Sequence, residues 1–587
     1  MDTIKNYIFR KNFRLTYAFI ALFLAVCIVY GNSLGNDLIW DDLAGIVYNA
    51  YIKDWSYILH FFSDGIYAGA GSVASFWRPI MLIIFSAEWS LFHGSVVGYH
   101  AVNILVHSSV VILVFYLFRL IFNRTFLAFI TALVYAIHPL NIEAVTYISG
   151  IPDPLAAFFM LLGTIFYVKA GFYPEKRRFL LLATFLCFIF ALFSKESAVM
   201  MPGLLFIADI FAHRKTVDSW RSIASRLKNM LPFLAILASY VVLRIMALNF
   251  INRSMLPTLS SIPERIMTFS HAFLVYLSLI FAPLHLHMER TLPIAKTIFD
   301  IRVASGLLLI IVALIAIVSQ FKKRPELSFG LVWFFIALSP NMNIFIPMMA
   351  ILSEHWLYMS LPGFFFALFA IIFELSAKHK RTMAAFFIIL SVTWIFWIGS
   401  LTIKRNRDWR NAMVFFTSTL QENPKSTRVL INLGAVHGES GNYEKALEYY
   451  NRALLVDSND PLTYTKIGLT YLSMGREKDA LKNFEYSVRI SPINSQSFSR
   501  LLDWYISHKE YDSAIDILEK RLAATREIDS TGRQKLLLAL SNVSQMKQDR
   551  ALQKKYSDEF TRLQMEHKYS LAEKIGIYLN TRLGDPK

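Results

Sequence analysis

YHAVNILVHSSVVILVFYLFRLIF, residues 99–122, is long and apolar enough to cross a bilayer as one helix. A span takes about 20 mostly apolar residues, and inside lipid the backbone must satisfy its own hydrogen bonds, which a helix does. Runs of the same kind lie on both sides of it, at 14–32, 126–142, 154–171, 178–194, 197–212, 229–248, 301–320, 327–345, 356–375 and 382–403. The expected fold is therefore all-α, a polytopic transmembrane helix bundle of about eleven spans. Two further stretches, 79–93 and 266–288, carry Glu88, His93, His271 and His285, with Glu289 directly after the second. Ionisable residues make poor lipid-buried spans, so both are expected to lie at the outer membrane surface or dip into it.

Loop charge sets the orientation, because short cytoplasmic loops concentrate Lys and Arg. The N-terminus carries Lys5, Arg10, Lys11 and Arg14 and is placed inside; the absence of a small-residue cleavage site marks the first run as a retained helix rather than a signal peptide. With eleven spans every basic loop also falls inside: Arg119/Arg124, Lys176/Arg177/Arg178, His213–Lys228, Lys322/Lys323/Arg324 and Lys378–Arg381. Eleven spans from an inside start put the C-terminus outside, in a periplasm or a lumen, the host membrane being a bacterial inner membrane or the endoplasmic reticulum.

Composition agrees and also divides the chain. Of 587 residues, 55% are hydrophobic and 17% charged, against about 25% charged in a soluble domain, and mean hydropathy is +0.44. The apolar runs end near 403, and the remainder of the chain reads as an ordinary soluble helical protein, so the expected domains are 1–403 and 404–587. The net charge of +17 belongs largely to the inner loops; with no zinc-finger or RNP-type motif nucleic acid is not an expected partner. Cys27 and Cys187 sit inside apolar runs and offer neither a disulfide framework nor metal spacing.

Within the soluble part, Thr427–Asp460 and Pro461–Asn494 align at a period of 34 residues, matching Gly434 with Gly468, Ala446 with Ala480 and Tyr450 with Phe484. That period, with small residues where helices approach and aromatics filling the gap, is the tetratricopeptide signature. Pro492 ends the second helix pair. Ser495–Ile528 continues the array with Tyr505 and Ala514, and Ala412, Phe416 and Pro424 fit the second helix of a degenerate repeat upstream. Such α-solenoids usually bind a protein or peptide on a concave face; a structural cap is the plainer alternative.

On the expected topology the candidate chemistry gathers on the outer face. The first outer loop carries Trp40-Asp41-Asp42 and ends at Arg78-Pro79. The next turn carries His138-Pro139, Glu143 and Asp153, the third Lys195-Glu196, and a later loop Glu354, His355 and Tyr358. Each alone reads as an interfacial anchor; four loops on one side read together as a site for a substrate with a lipid tail and a phosphate head. Carboxylates can act as a base toward a hydroxyl or hold a divalent cation, and no metal ligand set is assigned. Lys and Arg neutralise a leaving phosphate. Asp209, near an inner helix end, reads as structural. Neither GxxxxGK[ST] nor GxGxxG occurs, which argues against a nucleotide donor and against ATP-driven transport.

At these residues the chain resembles a known family, the transmembrane-and-tetratricopeptide O-mannosyltransferases within the GT-C class of polyprenyl-phosphate-sugar glycosyltransferases. The matching pieces in order are Trp40-Asp41-Asp42, Arg78-Pro79, Tyr99-His100 with Asn103, His138-Pro139 with Glu143-Ala144-Val145, Asp153, Lys195-Glu196, Glu354 with Leu357-Tyr358, and the repeats after Arg405-Asn406 and Trp409. The resemblance implies transfer of a sugar, mannose or another hexose, from a polyprenyl-phosphate carrier to a protein or glycan hydroxyl on the outer side. It implies that Asp41 or Asp42 is the catalytic base, with Arg78, Lys195 and His355 on the phosphate and His138, Glu143, Asp153, Glu196, Glu354 and Tyr358 completing the substrate site. Two places depart from the family: His355 stands where Arg is usual after the glutamate, and Gly150-Ile151-Pro152 stands where Gly-Arg usually precedes the aspartate, so one cation is missing at each.

The alternative to an enzyme is a non-catalytic scaffold whose repeats recruit envelope proteins while the bundle anchors it. The acidic pair at the mouth of the first outer loop favours the enzyme. A transporter would favour midplane charges and paired repeats, which the sequence lacks.

Overall fold

The computed structural model describes residues 15–72, 74–216, 219–248, 261–348, 350–378, 381–493, 495–525 and 530–565. The basic N-terminal residues Lys5, Arg10, Lys11 and Arg14, part of the Lys378–Arg381 turn and the last residues of the chain lie outside this set. Among the described residues all regular structure is helical. The chain forms two compact units, Met1–Glu422 and Asn423–Lys587. The first therefore runs past the compositional break at 403, because the segment after the last span packs back on the first loop and on the turn holding Tyr147: Asp37 N donates to Arg410 O at 2.9 Å, Trp40 and Phe415 lie 6.3 Å apart, and Trp409 meets Tyr147 at 5.3 Å.

In the first unit the helices are α1 (Leu15–Tyr30), α2 (Pro79–Phe92), α3 (Val96–Phe122), α4 (Thr125–Ile137), α5 (Pro152–Phe172), α6 (Arg177–Ser194), α7 (Met201–Ala212), α8 (Trp220–Lys228), α9 (Leu231–Leu248), α10 (Ile262–Phe281), α11 (Ile301–Ser319), α12 (Pro325–Leu338), α13 (Leu361–Lys378), α14 (Arg381–Asn406) and α15 (Ala412–Glu422). Among the described residues eight helices are by themselves long and apolar enough to cross a membrane, nine if the bent pair Thr125–Ile137 and Pro139–Val145, turned by 58°, is one span. Side-chain contacts sort the helix ends into two sides. At one, the Asp41 end, Asn103 of α3 donates to Val145 and Tyr147 carbonyls, Thr402 of α14 donates to Ile137 O, and Lys195 after α6 meets Asp153 of α5. At the other, Phe122 meets Phe211, Arg124 meets Glu326, Phe172 meets His213, and Arg324 meets Glu374. By these contacts α3–α7 and α12–α14 run between the two sides, while Val29 O of α1 and Arg244 of α9 find partners at the Asp41 end and Ile317 O of α11 accepts from Ser328 at the other.

Several legs are shorter than the apolar runs that encode them. The run 126–142 breaks at His138, 197–212 opens with a 3-10 turn over Glu196–Met200, and 327–345 ends its helix at Leu338. At about 1.5 Å per residue such helices are shorter than a hydrocarbon core of about 30 Å, so their neighbours must complete the crossing.

The two doubtful stretches stay at the Asp41 end. Helix α2 follows Arg78, which meets Glu196, and near its C-terminus Ser90 accepts a hydrogen bond from Trp55 of the first loop. Helix α10 has 20 residues and length enough to cross. Yet Arg265 in its first turn donates to Ile344 O, Tyr276 to Ser353 O, and Ile280 O pairs with His138 Nε2. All three partners belong to the Asp41 end, so both ends of α10 remain there.

The second unit stacks helix pairs: α16 (Thr427–Glu439) with α17 (Tyr443–Val456), α18 (Pro461–Ser473) with α19 (Glu477–Ile490), α20 (Ser495–Ser507) with α21 (Tyr511–Ala524), then α22 (Ser530–Met546). The aligned residues do what the period implies. Ala446, Tyr450, Ala480, Phe484 and Ala514 are buried, and Ala480, Phe484, Leu501, Tyr505, Leu518 and Leu537 share one core that runs from α19 through α20 and α21 to α22. Ser426, Asn442 and Asp460 cap α16, α17 and α18, each accepting a backbone N–H, which satisfies donors a helix start leaves open.

Candidate active site

The first loop makes its acidic pair diverge. Ile39 N donates to Asp42 Oδ2 at 3.1 Å while Asp42 N donates back to Ile39 O at 3.0 Å. The tight turn holds Trp40 at φ 54°, a left-handed conformation that is uncommon for a bulky residue. Trp40 stacks on Tyr147 at 6.2 Å, and the Tyr147 hydroxyl accepts from Asp41 N at 3.1 Å. Asp42 is 1% exposed, and its Oδ1 accepts from Ser149 N at 2.8 Å and Ser149 Oγ at 2.5 Å. Burial pushes its carboxyl up to about 7 despite these hydrogen bonds. Asp42 is thus a fastener between the first loop and the turn before α5. Asp41 is half-buried and pairs instead with the Tyr67 phenol; burial and then the Asp41 charge keep that phenol protonated.

Tyr67 also lies within electrostatic reach of Arg78. Arg78 grips Glu196 along one edge of its guanidinium, Nε to Oε2 at 3.1 Å and Nη2 to Oε1 at 2.7 Å. Burial would raise the Glu196 carboxyl, but Arg78, with Arg244 and Lys195 behind it, holds it well below the usual range. Lys195 Nζ reaches both Asp153 oxygens at 2.6 Å and also acts on Glu143. Glu143 receives the His355 ring at 2.7 Å and the His355 backbone N–H at 3.3 Å. Asp41, Arg78, Glu143, Asp153, Lys195, Glu196 and His355 therefore form one linked cluster at the Asp41 end, drawn from the first loop and three later turns.

Glu354 sits beside it, 5% exposed, accepting from His287 N at 2.8 Å and from Arg290 Nε and Nη2 at 3.1 and 2.8 Å. Burial raises its carboxyl and Arg290 opposes the shift. Arg290 thus brings a guanidinium to Glu354, the residue before His355.

Two residues expected to bind substrate are turned inward. His138 is fully buried; its Nε2 pairs with Ile280 O at 3.0 Å, and its Nδ1 accepts Leu140 N at 3.3 Å. Both ring nitrogens hold backbone, so His138 pins α10 to the break after α4. Tyr358, 1% exposed, pairs through its hydroxyl with His107 Nδ1 at 2.7 Å and packs on Tyr135. No group of three or more His, Cys, Asp or Glu side chains placed to hold a metal ion occurs among the described residues.

Sequence reasoning did not single out Tyr67, Tyr147, Ser149 or Arg290. A lone Tyr, Ser or Arg in a loop carries no periodic or motif signal; only its partner gives it a role. Asn406 was visible as part of a motif but not as a hub. It is fully buried, donates to Val29 O at 2.7 Å and Asn32 Oδ1 at 2.8 Å, and accepts from Thr146 Oγ1 at 2.7 Å. It joins the end of α14 to the end of α1 and the turn beneath the cluster.

Residues 18–257 match the dolichyl-phosphate-mannose-protein mannosyltransferase family, and residues 427–460 match the tetratricopeptide repeat. Over 73% of this chain and 61% of its own length, a Caenorhabditis elegans protein O-mannosyl-transferase is 28% identical. The mouse protein O-mannosyl-transferase TMTC1 is 25% identical over 77% of this chain and 59% of its own. The human TMTC4 is 26% identical over 72% and 64%. The chain thus spans about three-fifths of the length of these curated relatives. With a mannosyltransferase-family match over the first part of its helix bundle and a tetratricopeptide match over its first aligned repeat, the chain is similar to these protein O-mannosyl-transferases.

Proposed function

We propose that the chain is a multi-pass membrane glycosyltransferase that moves a hexose, mannose by analogy with its named relatives, from a polyprenyl-phosphate carrier to a hydroxyl of a protein or glycan. The observation that carries this reading is the Asp41 carboxylate, held half-buried against the Tyr67 phenol at the edge of a cluster that also presents Arg78 and Lys195. The acceptor oxygen attacks the anomeric carbon, its proton passes to Asp41, and the sugar–phosphate bond breaks. Arg78 and Lys195 neutralise the charge that builds on the departing phosphate. Asp42 does not share this task, since three hydrogen bonds fix it into the scaffold. The positive-inside pattern supports placing the Asp41 end, and the repeats that follow α15, outside the cytoplasm, in a periplasm or an endoplasmic-reticulum lumen.

A scaffold is the second reading. It is favoured by the pairing of each cluster cation with a carboxylate, as expected of structural staples. Sugar transfer from a polyprenyl-phosphate-mannose donor by the purified full chain separates the two. Asp41→Asn keeps the shape and removes the base, which typically costs about 100- to 10,000-fold in rate; Asp42→Asn leaves turnover of the folded fraction near wild type. Unchanged turnover in Asp41→Asn would end the catalytic assignment.

A further inference from the structure

At the end of the bundle opposite Asp41, helices α5 to α9 enclose a cavity of about 450 Å³, within the usual size of ligand sites. Its wall includes Gly171, Pro174 and Arg177, where α5 ends and α6 begins. Asp153 at the start of α5 and Ala170 on the cavity wall are separated by most of that helix, about 25 Å at 1.5 Å per residue, so the cavity is remote from the acidic cluster.

Its lining has two characters. Arg177 from the first turn of α6, with Arg226 and Lys228 from the last turn of α8, brings three cations from two elements. The facing carboxylate, Asp209 of α7, is already engaged by Arg226 Nη1 at 2.5 Å and His213 Nδ1 at 2.9 Å. The surplus is positive, and both Arg177 and Arg226 lie in electrostatic reach of the Tyr167 hydroxyl on the same wall. Beneath the cations the lining turns apolar, with Leu181, Phe185 and Phe233.

The surroundings say which amphiphile fits. Helix α8 carries Arg226 and Lys228 while Trp220 and Leu227 stand 76% and 55% exposed, the make-up of a helix lying in the membrane interface. Helix α9, which leads away from the cavity, is only 11% buried over its apolar window, so its flank is open to acyl chains. Basic pockets between spanning helices are suited to anionic headgroups.

We propose that this cavity is a binding site for an anionic phospholipid of the leaflet at that end of the bundle. Arg177, Arg226 and Lys228 hold the headgroup phosphate, and Leu181 and Phe185 meet the start of the acyl chains. Asp209 orients Arg226 for this contact.

The test uses the delipidated full chain in neutral detergent, with native mass spectrometry to count retained dioleoyl-phosphatidylglycerol against dioleoyl-phosphatidylcholine. Arg177→Gln with Lys228→Gln changes two exposed side chains and leaves the Arg226–Asp209 pair intact. Lys215→Gln with Arg221→Gln removes the same charge from the α7–α8 connection and the start of α8, outside the cavity lining. Wild type and the second pair are expected to prefer phosphatidylglycerol by roughly tenfold, and the first pair to lose that preference. Equal preference in all three proteins overturns the proposal, as does equal loss in both variants. A third arm adds inorganic phosphate: if it displaces the lipid or raises thermal stability as phosphatidylglycerol does, the cavity is a free-anion site and the lipid assignment fails.

Discussion

Arg78 and Glu196 meet along one edge of the guanidinium, at 3.1 and 2.7 Å, with side chains 12% and 26% exposed. The pair ties the residue before α2 to the turn after α6, and so holds α2 at the Asp41 end. Glu196→Gln leaves the guanidinium half-satisfied and is expected to cost about 1–3 kcal/mol, read by thermal unfolding in detergent. The pair also has a pH signature. Because the folded carboxyl is held below its ordinary value of 4.5, its contribution is present above that value and is lost as pH falls through the depressed one. The wild type should therefore lose stability on acidification below about 4.5 more steeply than Glu196→Gln; identical acid profiles would contradict the pairing.

Asp42 has the opposite sign. Its folded carboxyl is raised from 3.8 to about 7, so its contribution is fully present below the lower value and is lost as pH rises through the upper one. Between these limits the folded state keeps a proton that the unfolded chain has released. Unfolding of the wild type at pH 5 and pH 8, compared with Asp42→Asn, checks this. The wild type should lose stability across that interval relative to the variant, whose amide oxygen can still accept from Ser149. An equal response in the two proteins would show that Asp42 is ionised throughout.

Asn406 joins α14, α1 and the turn before α5 through two donated bonds and one accepted bond. Asn406→Ala strands the Thr146 hydroxyl and the Val29 carbonyl in a buried setting, at a cost of about 1–3 kcal/mol for each unpaired group. Asn406→Asp is expected to be worse than Asn406→Ala, because it aims a buried carboxylate at the Val29 carbonyl and the Asn32 amide oxygen. Thermal unfolding ranks the three proteins, and an Asn406→Asp variant as stable as wild type would refute the hub.

In the repeats, a Cβ at Gly434 would lie 2.5 Å from the Tyr450 ring, and one at Gly468 would lie 2.5 Å from the Phe484 ring. Overpacking of this kind costs about 1–3 kcal/mol. Gly438 is the control: a Cβ there meets only the Ala446 Cβ at an ordinary 3.7 Å, and Ala in a helix gains about 0.5–1 kcal/mol over Gly. Gly434→Ala and Gly468→Ala should speed proteolysis of the repeats in the full chain while Gly438→Ala slows it. Equal behaviour of all three would remove the argument that these glycines exist for ring clearance.

The helical bundle was legible because hydropathy is local: each apolar run must become a helix in lipid wherever it packs. The repeat was legible because Gly434 and Gly468, or Tyr450 and Phe484, announce themselves by spacing. Motif order along the chain also brought forward most of the clustered residues. Their tasks were not legible. Asp41 and Asp42 are adjacent and chemically identical, and only the left-handed turn at Trp40 sends one to Tyr67 and the other to Ser149.

Helix α10 shows the same limit at the scale of a whole element. Its 20 residues are long and apolar enough to cross, and in sequence only ionisable residues such as His271 argue against it. Its path was decided by bonds from Arg265, Tyr276 and Ile280 to Ile344, Ser353 and His138, partners 79, 77 and 142 residues away in sequence. The sequence by itself determined that this is a membrane helix bundle followed by a helical-repeat array, since backbone satisfaction in lipid and repeat packing act over one helix or one period. Only the tertiary structure decided which acid stays beside a protonated phenol, which histidine is turned inward and which guanidinium pairs with Glu354. Those outcomes depend on the register and tilt of helices packed against one another, which no single segment encodes.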